Sequence, residues 1–256
     1  MRVVSLACSN TEIVCALGCA AMLVAVDNHS DRPADVLANL PRVGPDLQID
    51  VANVAALEPD LVLASSTVPG HEKVIAALAE AALPYRVLAP QRLEDIYRDI
   101  AQIADWLQVP QAGAALIAEL RHQLRPMPAP RRRPRLLLQW WNRPTIAPGQ
   151  QSWVNDLMEA AGGRNALQEA CSSRPLSDEE VVALEPDAII ISWCGVNPEK
   201  YRPEVIYRNP RWQQLLALQQ RRVYCVPEAF VGRPSPGLAT GFRQLAAIVQ
   251  RIAPVS

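Results

Sequence analysis

Val54-Ala55-Ala56-Leu57-Glu58-Pro59-Asp60 runs into the apolar stretch Leu61-Val62-Leu63-Ala64. The same phrase returns as Val181-Val182-Ala183-Leu184-Glu185-Pro186-Asp187, ahead of Ala188-Ile189-Ile190-Ile191. Six of the seven positions are identical, at an offset of 127 residues. Each copy reads as the end of a short helix, a break and a buried strand. Proline disfavours helical geometry in the residue before it, so the helices are expected to stop at Glu58 and Glu185. Unbroken apolar runs of this length suit parallel strands covered on both faces.

Outward from the first copy, the chain reads as alternating strands and helices. Strands are expected over 2–7, 22–26, 61–64 and 85–88, with helices over 11–17, 72–82 and 93–107. Ser9 or Asn10 is the expected N-cap of the first helix, with Glu12 in its first turn, where negative charge is favoured. Outward from the second copy, strands are expected over 135–140, 188–192 and 222–226. Helices are expected over 152–161, from about 203, and over 237–251, with a loop from 141 to 148. Ser177 and Glu180 fit a capping box. Between the halves, 110–124 carries a helical apolar stripe and leaves through Pro126-Met127-Pro128-Ala129-Pro130. About 15 helical residues span roughly 22 Å, enough to pass from one lobe to another. Repeated strand-then-helix units are the mark of a parallel α/β layer structure.

Composition narrows the function. The chain has 256 residues, half of them hydrophobic, and a formal net charge of −1. No concentrated basic surface for nucleic acid is implied. The six cysteines match neither a zinc pattern nor a redox pair, and Cys15 and Cys19 are expected to share a helix face as small buried residues. The apolar N-terminus, with Leu6-Ala7-Cys8, has some look of an export leader. One arginine and the interruption by Asn10, Thr11 and Glu12 argue for a strand, a turn and a helix instead. As written, the chain reads as soluble and without an export address. No apolar run is long enough for a membrane span.

Ligands of parallel α/β sheets sit outside the carboxyl ends of the strands. Those ends hold Ser9, Asn10, Thr11, Glu12, Asn28, His29, Ser65, Ser66, Trp140, Trp141, Trp193, Cys194, Phe230 and Arg233. Three tryptophans just past strand ends suit a large, flat, partly apolar ligand. Of the three histidines, His122 and His71 read as surface residues, and His29 sits in a strand-end loop where it can touch ligand or metal. No serine elbow, Walker loop, dinucleotide fingerprint or zincin motif is present, so no catalysis is expected.

Taken in order, Val4 to Ile13, the paired Leu-Glu-Pro-Asp strands, Arg42-Val43-Gly44, Ser152-Trp153-Val154, Ala161-Gly162-Gly163 and Arg233-Pro234-Ser235-Pro236 resemble one family. They are similar to the helical-backbone substrate-binding proteins of ABC importers, and most to the cobalamin-binding branch. The resemblance covers essentially the whole chain. It implies two Rossmann-like α/β lobes with parallel central sheets joined by one long helix. The lobes fall at 1–107 and 131–256, with the helix and its proline-rich exit at 108–130. It implies a monomer that holds a corrinoid in the cleft, with no cofactor and no resident metal, and delivers it to an ABC importer permease. The alternatives are a ferric-siderophore or haem binder on the same fold, and a leaderless cytoplasmic corrinoid binder or enzyme. The resemblance also implies permease docking through one glutamate on each lobe, Glu72 on the first and Glu199 or Glu204 on the second. Family members are periplasmic, whereas the chain as written reads as cytoplasmic.

Overall fold

Asp60 and Asp187, the last residues of the two repeats, each sit at the entrance to a strand that lies fully buried. In the computed structural model, which describes residues 1–128 and 130–253, those strands are β3 and β9 of the element order that follows. Ala129, within the proline-rich exit, and residues 254–256 lie outside the described residues. The chain divides into two compact units, one of Met1–Pro90 and Glu94–Leu120, the other of Gln91–Leu93 and everything from Arg121 on.

The first unit runs β1 (Val3–Ser5), α1 (Cys8–Ala16), β2 (Leu23–Val26), α2 (Ala34–Leu37), α3 (Val51–Ala56), β3 (Leu61–Ser65), α4 (His71–Glu80), β4 (Tyr85–Leu88), α5 (Leu93–Trp106) and α6 (Pro110–Gln123). Its sheet is parallel, in the order β2-β1-β3-β4. Every β3 side chain is buried, as a strand with helices on both faces requires. Val4, Ala25, Val62, Ala64 and Leu78 form the core on one side of it. Helix α6 begins in this unit and ends in the other, since Leu120 counts with the first and Arg121 with the second. Gly113 of α6 lies so close to α5 that an added Cβ would stand 2.5 Å from the Cβ of Ala104.

The second unit runs β5 (Arg135–Gln139), β6 (Thr145–Pro148), α7 (Trp153–Ala160), β7 (Arg164–Asn165), β8 (Ser173–Leu176), α8 (Asp178–Ala183), β9 (Ala188–Ile191), α9 (Pro203–Tyr207), α10 (Leu216–Gln219), β10 (Val223–Cys225) and α11 (Leu238–Ile252). Its main sheet is parallel in the order β7-β5-β9-β10, so each repeat strand lies between the first and last major strands of its half. The expected loop from 141 to 148 is instead a turn followed by β6, which pairs antiparallel with β8. Leu137, Ile189, Ile191, Trp193 and Trp212 lie in its core.

Helix ends follow local chemistry. Ser177 and Glu180 form the capping box at α8, and Ser152 caps α7. The two repeat helices stop slightly earlier than expected, at Ala56 and Ala183. Glu58 and Glu185 then take left-handed backbone, with φ of 44° and 42°. A left-handed residue just past a helix releases the chain into a new direction, and the following proline prevents a return to helix. Cys19 lies beyond the end of α1, so it shares no helix face with Cys15.

Candidate ligand-binding site

The residues after β1 turn inward. Helix α1 begins at Cys8 behind Ala7, rather than behind Ser9 or Asn10. Ser9, Asn10 and Thr11 therefore fall inside the helix and are buried. Asn10 Nδ2 donates to the Ala64 carbonyl at 3.1 Å. Thr11 Oγ1 lies 2.8 Å from both Ser5 Oγ and Ser30 Oγ. These side chains bind α1 to β1, β3 and the loop after β2. Glu12 is half-buried.

That loop holds the first unit's acid–histidine cluster. Asp27 is buried, and its carboxylate accepts the His29 N–H at 2.8 Å and the Ser30 hydroxyl. Burial pushes its pKa up. Asn28 and His29 are exposed beside it. Asp46 lies between two imidazoles, 3.5 Å from His29 Nε2 and 3.4 Å from His71 Nε2. His71 is buried, not on the surface as its helix-start position suggests. Its Nδ1 accepts the Val68 N–H at 3.4 Å, which leaves Nε2 to carry the proton toward Asp46. That bond holds the Asp46 carboxyl below the usual carboxylate range. At the end of β3, Ser65 is buried with its hydroxyl 3.0 Å from that of Thr67, and Ser66 is exposed.

In the second unit the carboxyl ends of β5 and β9 are tied together past the sheet. Trp140 donates its N–H to Ile146 at 2.8 Å, and its carbonyl accepts the Cys194 N–H at 3.0 Å. Trp140 is half-buried, Trp141 is 44% exposed and Cys194 is exposed. Trp193 is buried, edge-to-face on Tyr201 with centroids 5.6 Å apart. The Tyr201 hydroxyl donates to the Trp193 carbonyl at 3.1 Å and accepts the Glu228 N–H at 3.2 Å. Burial pushes its pKa up to about 12, so it stays a donor across the working pH range. Phe230 is half-buried in the helical turn Glu228–Phe230. Arg233 is buried with Nε 3.6 Å from Glu228 Oε2.

Beneath this surface, Gln139 Oε1, Ser192 Oγ and Trp193 Nε1 are buried without a hydrogen-bond partner among the described residues. Native interiors leave few such groups unpaired. These three sit at the ends of neighbouring central strands. Tyr201, Gln139 and Ser192 carry no motif, and only their places at or after strand ends in the fold pick them out. Asp46 is likewise silent in sequence, 25 residues from His71. No group of three or more His, Cys, Asp or Glu among the described residues is arranged to hold a metal ion.

The three glutamates singled out for docking are exposed. Glu72 folds back to accept the Gly70 N–H at 2.8 Å. Its own backbone N–H and that of Gly70 hold its carboxyl below the usual range. Glu199 lies in the helical turn Pro198–Lys200, and Glu204 in the first turn of α9.

Comparison with known proteins agrees with this architecture. The family model described as periplasmic binding protein matches residues 3–229. The ABC transporter substrate-binding lipoprotein YvrC of Bacillus subtilis (strain 168) is 26% identical over 254 residues, 96% of this chain and 78% of that protein. The vitamin B12-binding protein of Vibrio parahaemolyticus is 26% identical over 239 residues, 92% of this chain and 84% of its own length. Among solved structures, a periplasmic haem-binding protein from Pseudomonas aeruginosa superposes with a TM-score of 0.81 at 26% identity, over 98% of this chain and 93% of that one. Proteins of this kind bind and hand over a ligand and catalyse nothing. The chain belongs to the periplasmic binding protein family, as a substrate-binding protein of the ABC-importer type.

Proposed function

We propose that the ligand is a corrinoid, taken up at the carboxyl ends of the parallel sheets and delivered to an importer permease. The observation that carries this reading is the adjacent pair Trp140 and Trp141 at the end of β5, one half-buried and the other 44% exposed. An exposed indole beside a strand end offers a flat apolar face at small conformational cost. A corrin is a flat macrocycle fringed with neutral amides. The exposed polar groups at the first unit's strand ends include an amide, Asn28, and a hydroxyl, Ser66, which match such a fringe. A related protein named for vitamin B12 binding supports the same choice. Trp141→Ala is expected to weaken cyanocobalamin binding at least about tenfold without changing the unfolding midpoint, since base-like stacking on one aromatic face is worth about 1–3 kcal/mol. Unchanged affinity in that variant counts against the assignment.

A haem is the second reading, and one observation favours it. His29 presents an imidazole 51% exposed at the exit of β2, next to the Asp46 carboxylate that would orient it. Haemin added to the protein would then give a Soret band that disappears in His29→Ala.

For delivery, we assign docking to Glu204, with Glu199 beside it in sequence, and to Glu72. Glu204 has the freer carboxylate. Glu72 is already engaged by the start of its own helix, so an arginine there must displace the Gly70 contact.

A further inference from the structure

We infer that the edge of the second unit where its parallel strands begin is a docking surface for an anionic phospholipid bilayer. Composition implies no concentrated basic surface, yet the topology assembles one from arginines far apart in sequence. Arg131-Arg132-Arg133 lead into β5, and Arg164 opens β7 opposite Arg135. Arg221-Arg222 lead into β10. Helix α11 runs back from the far end of β10, and Arg251 of its last turn lies over the Tyr224 ring of that strand, 6.0 Å from the centroid.

The carboxylates at this edge are Glu159, Glu185 and Asp187. Arg135 holds Glu185 at 3.0 Å and Arg132 holds Asp187 at 3.0 Å. Arg131, Arg133 and Arg164 are exposed and Arg222 is half-buried, and none of their side chains makes a hydrogen bond or ion pair with a described residue. Arg221 and Arg251 rest on the rings of Tyr207 and Tyr224, contacts that bring no opposite charge. Eight guanidinium groups against three carboxylates leave an excess of five positive charges, in a chain whose formal net charge is −1. The fold does not demand this. The corresponding edge of the first unit places Arg2 and Arg86 beside Glu58, Asp60 and Glu80, with no positive excess.

The spread of the charges and the setting identify the partner. Four neighbouring strand starts extend over about 14 Å, too wide for one small anion and suited to a field of many phosphates. Trp141 is the one large aromatic side chain exposed among the described residues of this unit, and it lies past the other end of β5. The arginine edge thus offers no exposed ring for nucleic-acid bases to stack on. A substrate-binding protein of the ABC-importer type works with a membrane permease, where lipid phosphates are the polyanion at hand. The inference rests on that family membership and not on the identity of the ligand. Because Trp140 and Trp141 stand at the opposite ends of the strands, a chain held by its arginines keeps this face toward solvent.

The test is co-sedimentation of the full chain with vesicles of equimolar phosphatidylglycerol and phosphatidylcholine, and with vesicles of phosphatidylcholine alone. The chain should bind the first at low salt, leave them at high salt, and ignore the second. Arg133→Glu with Arg164→Glu alters two exposed side chains that hold no partner, so the variant is expected to fold, and its affinity should fall at least about tenfold. Arg143→Glu with Arg243→Glu makes the same change in net charge, on the β5–β6 turn and the first half of α11, and should leave binding nearly unchanged. No binding of the unaltered chain to the phosphatidylglycerol vesicles overturns the inference, and so does an equal loss in the two double variants. Tighter binding to duplex DNA than to these vesicles at the same salt overturns the lipid assignment.

Discussion

The Asp187 carboxylate accepts the backbone N–H of Arg135 at 2.7 Å, while the Arg135 carbonyl accepts the Asp187 N–H at 2.8 Å. The first repeat does the same: Asp60 accepts the N–H of Arg2 at 2.6 Å and donates its own to the Arg2 carbonyl at 2.9 Å. The aspartate of each Leu-Glu-Pro-Asp phrase thus pins the entrance of its strand to the entrance of the neighbouring strand. The two copies differ in burial, with side chains 5% exposed at Asp187 and 58% at Asp60. Asp187→Ala leaves the half-buried Arg135 N–H unpaired and is expected to cost about 2 kcal/mol. Water replaces the carboxylate at Asp60, so Asp60→Ala should cost about 0.5 kcal/mol. Urea unfolding of the two variants checks the order; equal losses would refute the burial argument.

Asp99, on α5, is partly buried beside Arg98, and burial pushes its pKa up to about 6. The folded protein therefore binds this proton more tightly than the unfolded chain does. The penalty is absent below the unfolded value near 4, grows as pH rises, and is fully present above about 6. Asp99→Asn should stabilise the protein at pH 7.5 by about 1 kcal/mol, after allowance for solvent screening, and have no effect at pH 3.5. A gain that is the same at both pH values would contradict the assignment.

Gly241 lets α11 approach the turn that carries Phe230. A Cβ at this position would stand 2.0 Å from the Phe230 carbonyl oxygen and 2.7 Å from Val231 Cγ1. Val231 is also where Trp153 anchors, donating its indole N–H to the Val231 carbonyl at 2.8 Å. Gly241→Ala is expected to destabilise by about 2–3 kcal/mol and to weaken ligand binding through displaced Phe230. Wild-type stability and affinity together would mean that the turn moves freely.

For permease docking, Glu204→Arg reverses a charge on an exposed helix start without touching a hydrogen bond. It should leave ligand affinity unchanged and abolish uptake in cells that depend on this protein. Normal uptake in the Glu72→Arg, Glu204→Arg double variant would remove both residues from the docking surface.

The repeat made the parallel sheets legible, because a proline-stopped helix before an unbroken apolar run has few other structures open to it. Strands β6 and β8 were not legible. Thr145–Pro148 and Ser173–Leu176 are short, each contains a proline, and they form only by pairing with each other across a long separation. Exposure at the strand ends was legible for Asn28, His29, Trp141 and Cys194. It was less so at Asn10 and Thr11, whose polarity serves the packing of α1, and at His71, which Asp46 draws inward.

The most direct test of the central claim is calorimetric titration of the purified chain with cyanocobalamin, haemin and a ferric siderophore panel under one set of conditions. Saturable one-to-one binding of cyanocobalamin, tighter than that of every other compound, is the predicted result. No heat with cyanocobalamin alongside saturable binding of haemin or a ferric siderophore would contradict it.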